Sequence, residues 1–477
     1  MNTDCNAQMF LFQPLPKEGK SSRRVEAAFD GGAVTSDGGG LLLREVEEAR
    51  GILGRFAECF TDHRDEERVE HTVAELVAQR VYGIALGYED LNDHDTLRHD
   101  PLLAVLVGKP DPTGGNRKQT GDRGKALAGK STLNRLELTP RELESEPRYK
   151  KITADTEAMD RLLVDFFLET HSDPPARIVL DLDATDDPLH GNQEGRFFHG
   201  YHDCYCYLPL YIFCEDFPLC ARLRRSNIDA SAGSVDELKR IVGQIRQVWP
   251  ETEICIRGDS GFCREEIMGW CEGNGVHYVL GIAKNSRLQA EIQDLLKQAQ
   301  EVYESMGEPT RFYHDFTYRT RDSWSRSRRV IAKAEHLSKG SNPRFVVTSY
   351  APRRYRAQRL YENEYCARGE MENRIKEQQL YLFADRTSTH QMYSNQLRLY
   401  FSTFAYILVH ELRRLALQGT EMAKAQCHTI RVRLLKIGAR VQVSVRRVVV
   451  SMASACPFQF IFVAAWKNLQ RLRLNPT

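Results

Sequence analysis

The sequence predicts an α/β protein: a mixed central sheet behind a mainly helical first third, interrupted by a stretch of strands alone. Three observations carry that expectation. Between residues 171 and 302, short apolar runs alternate with helical repeats, as strands and their covering helices do. Residues 1–170 hold mostly helical periodicity. From 303 to 350 only strand-like runs occur, and helical patterns resume over 351–418 before a basic region, 419–477.

The elements follow in order. Residues 1 to about 30 read as an irregular leader, and the Gly/Asp-rich segment 30–40 as a turn. Ser36 or Asp37 is placed to cap a helix over 41–50. Val69, Val73, Leu76, Val77, Val81 and Ile84 repeat at helical spacing over 65–87. The Gly-, Pro- and Lys-rich segment 108–125 is a loop, and Met159, Leu162, Leu163, Phe166 and Phe167 mark a helix over 155–170. Strands are expected at 178–183, 205–214, 219–224, 253–258 and 277–283, and helices at 234–248, 263–273 and 288–302. The β-only stretch supplies strands at 312–318, 328–334 and 345–350. Helices return at 359–383 and 395–418, and the alternating tail 429–450 reads as strands.

A chain of 477 residues is too long for one compact core. Its 42% apolar and 27% charged content is that of a soluble globular protein, and a net charge of +1 does not by itself indicate a polyanionic partner. The distribution of charge does. Arg311 to Arg359 holds thirteen Lys/Arg against three acids, and Leu412 to the end holds twelve against Glu421 alone. Such segregation leaves basic surfaces able to track a phosphate backbone. The twelve cysteines show no repeating spacing and no signal peptide opens the chain, so they read as cytosolic thiols. The apolar run from Ile461 to Trp466 is too short to span a bilayer.

Three carboxylates stand out. Asp183 ends the apolar run from Ile178, Asp259 ends the run from Ile254, and Glu372 lies in a polar helical stretch. Acids at the ends of core strands are costly to bury without a cation. The cation that suits three carboxylates from separate elements is a hard divalent metal, Mg2+ or Mn2+, and a pair of such ions is the usual device for cutting phosphodiesters. Asp181 points to the same side of its strand as Asp183, so either supplies the first ligand. Gly258 and Gly261 permit a sharp exit that exposes Asp259. On the late helix Tyr365, Arg368 and Glu372 share one face, and Lys376 and Gln379 extend it. Arg matches phosphate bidentately and Tyr donates to it. Trp324, set among Arg319, Arg321, Arg326, Arg328 and Arg329, is placed either to stack on an unpaired base or to lie half-buried in a strand. Two motifs lack their required context. Gly124–Ser131 fits the Walker A expression with no strand before it. His199, His202, Cys204 and Cys206 have zinc-like residue types at irregular spacing.

Together, Asp-x-Thr at 183–185, Arg-x-Asp at 257–259 and Tyr-x2-Arg-x3-Glu at 365–372 resemble the bacterial insertion-sequence transposases of the DDE class, above all the insertion-sequence family numbered 1380. The likeness extends to 34–39, 85–93 with 97–101, 191–194, 200–201 with 207–211, and 434–439. The resemblance implies an RNase H-like core interrupted by a β insertion domain over 303–350. It implies that Asp183, Asp259 and Glu372 hold two divalent metals, and that Tyr365 and Arg368 touch DNA near the cleaved end. It further implies metal-dependent cleavage and strand transfer at terminal inverted repeats, into target DNA, by a homodimer on paired ends, in the bacterial cytoplasm at the nucleoid, with the N-terminal region binding the ends. The related signature often has a Lys where this chain has Gln379, a place Lys376 is near enough to fill. Two other readings fit the residues: a structure-specific Mg2+-dependent nuclease without strand transfer, and a non-catalytic DNA-binding regulator.

Overall fold

A computed structural model describes residues 9–15, 23–142 and 150–474. The chain divides into two compact units. One combines Met1–Glu58, Asp62–Leu136 and Leu408–Thr477; the other holds Cys59–Thr61 and Glu137–Ile407.

The second unit is built on one nine-stranded sheet. Its strands are β1 (Arg177–Ala184), β2 (Leu210–Cys214), β3 (Phe217–Arg222), β4 (Glu253–Gly258), β5 (His277–Ile282), β6 (Thr310–Tyr318), β7 (Arg328–Leu337) and β8 (Arg344–Thr348), with the short strand Gly340–Ser341 beside β7. The spatial order is β3-β2-β1-β4-β5-β8-β7-β6. β1, β2 and β3 form an antiparallel meander, and β4 and β5 then run parallel to β1. An antiparallel meander whose first strand is continued by two parallel ones is the RNase H-like arrangement. The strands read from 303 to 350 interrupt this core in sequence and lengthen its sheet in space, β8 pairing antiparallel with β5.

Strict alternation along the strands separates two cores. Ile178, Leu180 and Leu182 of β1 with Ile254 and Ile256 of β4 face one side, packed by the helices Thr156–Leu168, Ser234–Val248 and Glu265–Gly273 through residues such as Phe167, Leu238, Ile241 and Met268. Full burial of each aliphatic side chain there contributes roughly 1.5–3 kcal/mol. Cys255 and Val279 face the other side and meet Leu360 and Tyr361 of the late helical stretch, 357–381. That stretch changes winding along its length: π-wound over Leu360–Tyr365, 3-10 over Cys366–Arg368, α over Gly369–Lys376 and π again over Glu377–Tyr381.

The first unit is mainly helical. The helix Val73–Leu86 starts later than its apolar repeat suggests, because Thr72 and Glu75 form a reciprocal capping box. The expected cap of the helix Leu41–Arg50 is not made by Ser36 or Asp37. A 3-10 turn, Gly38–Gly40, comes first, and the Asp37 carboxylate instead accepts from Tyr88 Oη at 2.6 Å and pairs with Lys436 Nζ at 2.6 Å. In the N-terminal segment read as irregular, Phe10–Leu15 and Arg23–Ala27 pair as antiparallel strands. The tail also departs from expectation. Cys427–Leu435 is helical, and the strands come after it as the hairpin Ala439–Val443 with Val448–Met452, joined to Val34–Thr35. A closing helix, Gln459–Leu474, follows where no element was predicted. In the second unit, the strand read over 205–214 is two strands, since Pro209 has no N–H to give a ladder.

Candidate active site

Parallel pairing of β1 with β4 sets Arg257 beside Asp181 and Gly258 beside Leu182. One step further along both strands, Asp259 follows β4 on the face that Asp183 takes on β1. The Asp259 carboxylate accepts from Gly261 N at 2.8 Å, so the turn predicted from the two glycines also orients the acid. The late helical stretch brings the third acid over the same face. Arg368 Nη2 donates to Glu372 Oε1 at 2.7 Å, while its Nη1 lies 3.6 Å from Asp183 Oδ2 and, though buried, makes no hydrogen bond.

The electrostatics tie the acids together. Burial pushes the Asp183 carboxyl up to about 6; the Arg368 cation pulls it down, and the charges of Asp259 and Glu372 push it up again. Burial likewise raises the Tyr365 phenol above its ordinary value, with Arg368 lowering and Asp259 raising it, so it stays a neutral donor at neutral pH. Tyr365 reaches this position only because residue 281 is glycine. A Cβ there would lie 2.5 Å from Tyr365 Oη and 3.1 Å from Ser260 N.

The two candidate first acids are treated differently. Arg257 grips both oxygens of Asp181, with Nη2 to Oδ2 at 2.7 Å, and its Nη1 donates to the Glu364 carbonyl of the late helical stretch. Asp181 is only 4% exposed. It is the anchor of a clamp between sheet and helix, and Asp183 is the acid turned toward Arg368 and Glu372.

An all-oxygen set of three carboxylates has the chemistry of a Mg2+ or Mn2+ site, and the raised Asp183 marks a place where added positive charge is stabilising. In this arrangement Asp183 and Glu372 share Arg368 instead of closing on one another. Among the described residues no group of three or more His, Cys, Asp or Glu side chains is close enough together to hold a metal ion. The zinc-like residues therefore form no site: His202 Nδ1 sits 3.2 Å from Asp186 Oδ1, and the Cys206 side chain is buried. The Walker-like segment has no phosphate cradle either. Its Lys130 pairs with Asp95 and donates to Asn92.

Other predicted contacts fall elsewhere. Lys376 is exposed one turn beyond Glu372. Gln379 is committed to the protein, donating to Asp187 Oδ1 at 2.9 Å and to the Asp186 carbonyl. Trp324 requires correction. It is 4% exposed, edge-on to Tyr318, with the Arg328 guanidinium over its ring, and so has no face for a base. Of the arginines in this stretch, Arg326 and Arg328 pair with Glu272, Arg329 with Asp315, and Arg354 with Glu253. The acids that neutralise this stretch come largely from elsewhere in the chain, which a linear count of charge does not reveal. Sequence reading missed Arg257 as clamp and Gly281 as clearance. The Arg-x-Asp motif held the signal for the first; nothing local marks the second. The Gly191–Glu194 motif is a docking loop: Gln193 donates to the Thr387 carbonyl and Glu194 accepts from Met392 N.

The family described as Transposase DDE domain group 1 matches residues 17–474. No curated protein matches. Among solved structures the chain is similar to a piggyBac transposase in a cryo-EM synaptic complex with hairpin DNA, at 12% identity and a TM-score of 0.39, over 92% of this chain and 82% of that one.

Proposed function

The chain belongs to the DDE transposase family, whose activity is nuclease and transesterase chemistry on DNA, and from that premise we propose that it excises an insertion sequence by cutting at its ends and joins the freed ends to target DNA. The observation that supports the site assignment is the placement of Asp183 on one strand and of Asp259 just past the end of its parallel neighbour, with Glu372 and Arg368 on the late helical stretch and Arg368 between Asp183 and Glu372. Asp183, Asp259 and Glu372 would hold two Mg2+ or Mn2+ ions. When bound, these supply Lewis acidity at the scissile phosphate and a lowered pKa for the attacking water. Arg368 uses its unbonded Nη1 to pair with a non-bridging phosphate oxygen, a charge-assisted contact. Tyr365 donates its phenol proton beside it, and Lys376 contacts the flanking backbone. The freed 3′-OH then attacks a second phosphodiester, so no covalent enzyme intermediate is needed. Two ends are cut together by a homodimer, and the N-terminal and C-terminal regions grip the terminal repeats. The narrower likeness to the insertion-sequence family numbered 1380 is part of this proposal.

Asp259→Asn and Glu372→Gln test the assignment separately. Each is expected to abolish Mg2+-dependent nicking of terminal DNA, by a factor of about 10³ or more if the group stabilises the transition state directly, while duplex affinity persists. Native-rate nicking by either variant removes that acid from the site. A second reading has one observation in its favour: Arg368 already neutralises Asp183 and Glu372, as it would in a DNA-binding regulator without catalysis. Failure of the unaltered protein to nick terminal DNA in Mg2+ or Mn2+ would select it.

A further inference from the structure

Of the two basic stretches in the sequence, the middle one pairs Arg311, Arg326, Arg328, Arg329, Lys333 and Arg354 with acids, and the C-terminal one also keeps exposed charge. Part of that charge lies on the hairpin of Ala439–Val443 and Val448–Met452. Arg440, Arg446 and Arg447 are all exposed, and among the described residues no acidic side chain pairs with them. The strands alternate cleanly. Ala439 and Val441 are buried against the unit, while Arg440 and Gln442 face out, opposite Ser451 and Val449 of the partner strand. The tip is closed by Ser444, whose backbone N and hydroxyl both reach the Arg447 carbonyl at 2.9 Å, leaving Val445 fully exposed. Five residues per strand give a ribbon roughly 17 Å long.

We propose that this hairpin is a duplex-DNA contact that lies in the major groove, with Arg446 and Arg447 on the phosphates at its mouth and Arg440 and Gln442 toward base edges. A two-stranded ribbon has the width the major groove admits, and Arg and Gln are the side chains that read guanine and adenine there. Guanidinium pairs bidentately with phosphate. A membrane surface would call for Trp, Phe or Leu beside the cations, and the hairpin instead exposes Val445, Val448 and Val449. The proposal deepens the DNA reading above by naming an element and its partner, and it rests on that reading.

The test is the salt dependence of binding to a fluorescent mixed-sequence DNA duplex, followed by anisotropy, with thermal melting as a check on folding. Arg446→Ala with Arg447→Ala is expected to flatten the slope of log K against log[salt] by about 2, near 0.9 per lost phosphate contact. The Arg446→Lys, Arg447→Lys variant keeps the slope, since charge and not shape sets it. An unchanged slope in the alanine variant overturns the proposal, and so does a loss of self-association in sedimentation without a change in slope, which would make the ribbon a protein contact. Asp259→Asn separates the two readings. Lost nicking at an unaltered slope leaves the catalytic site standing whatever the ribbon does, whereas absence of duplex affinity in the unaltered protein overturns both.

Discussion

At the scale of single residues the site depends on one glycine. Because a Cβ at 281 would meet Tyr365 Oη at 2.5 Å, Gly281→Ala is expected to push the phenol off the sheet and cost about 1–3 kcal/mol. Adding Tyr365→Phe removes the clashing oxygen and leaves the Ser260 N contact at 3.1 Å, so melting temperature should recover in part while cleavage does not. Recovery of both would show that the phenol is dispensable for chemistry. Asp183 sets an acid limit. With its carboxyl near 6 before a cation binds, the charged form is lost as pH falls through that value, so cleavage at limiting Mg2+ should drop on the acid side below about 6, and the drop should move to lower pH as Mg2+ is raised and competes with the proton. Asp187 is the more deeply buried acid. Burial pushes its carboxyl up to about 8, one oxygen accepts from Gln379, and the other makes no hydrogen bond. Its folded value lies above the unfolded one of 3.8, so its contribution to stability is full below about 4, declines as pH rises toward 8 and is level beyond. Asp187→Asn should flatten that decline in thermal melts taken from pH 5 to pH 8, and an unchanged decline would place the titration elsewhere.

At the scale of elements, the late helical stretch is held by charge as well as packing. Arg257 joins Asp181 to the Glu364 carbonyl, and Arg177 Nη2 donates to Glu364 Oε2 at 2.6 Å. Arg257→Ala would strand the Asp181 carboxylate in the interior, and removing one partner of such a pair costs about 3–5 kcal/mol. Chemical denaturation should show that loss, with cleavage falling further because Arg368 and Glu372 ride on the same helix. Much of this layer was legible in the sequence. The strand Glu253–Gly258 and the helix Ser234–Val248 carry such clear periods that their ends coincide with the expectation. The acids were legible for the same reason, each standing where an apolar run stops or a helix face turns polar. What could not be read depends on contacts distant in sequence. The acids that pair with Arg328 lie dozens of residues away, and Trp324 is buried in a core gathered from the whole sheet unit. In the tail, Arg431 buries its guanidinium against the Ile84 and Ala85 carbonyls, and that contact belongs to a helix where local alternation suggested a strand.

At the scale of the molecule, the segment motifs that carried the family resemblance outside the catalytic core gather in the first unit. Thr35 donates to Asp100, Tyr88 and Lys436 meet on Asp37, and Gly38 N donates to the Ile437 carbonyl at 2.8 Å. A Cβ on Gly39 would lie 1.8 Å from the Leu434 carbonyl oxygen, so no other residue fits without moving backbone. Gly39→Ala is therefore expected to open the first unit to limited proteolysis while fragments from 150–400 stay protected. Equal resistance in variant and parent would mean the two strands of chain can part at little cost. The described cysteines form no disulfide, and no described helix is long and apolar enough to cross a membrane.

The seat of Gly39 also sets a timetable. Its counterpart at Leu434 is translated almost four hundred residues later, after the whole of the sheet unit has been translated. Until then the opening segment waits without its floor, and a message that stops or shifts frame anywhere upstream yields a protein whose first unit never closes. Synthesis through Leu434 is thus built into the architecture as a condition for assembling the first unit.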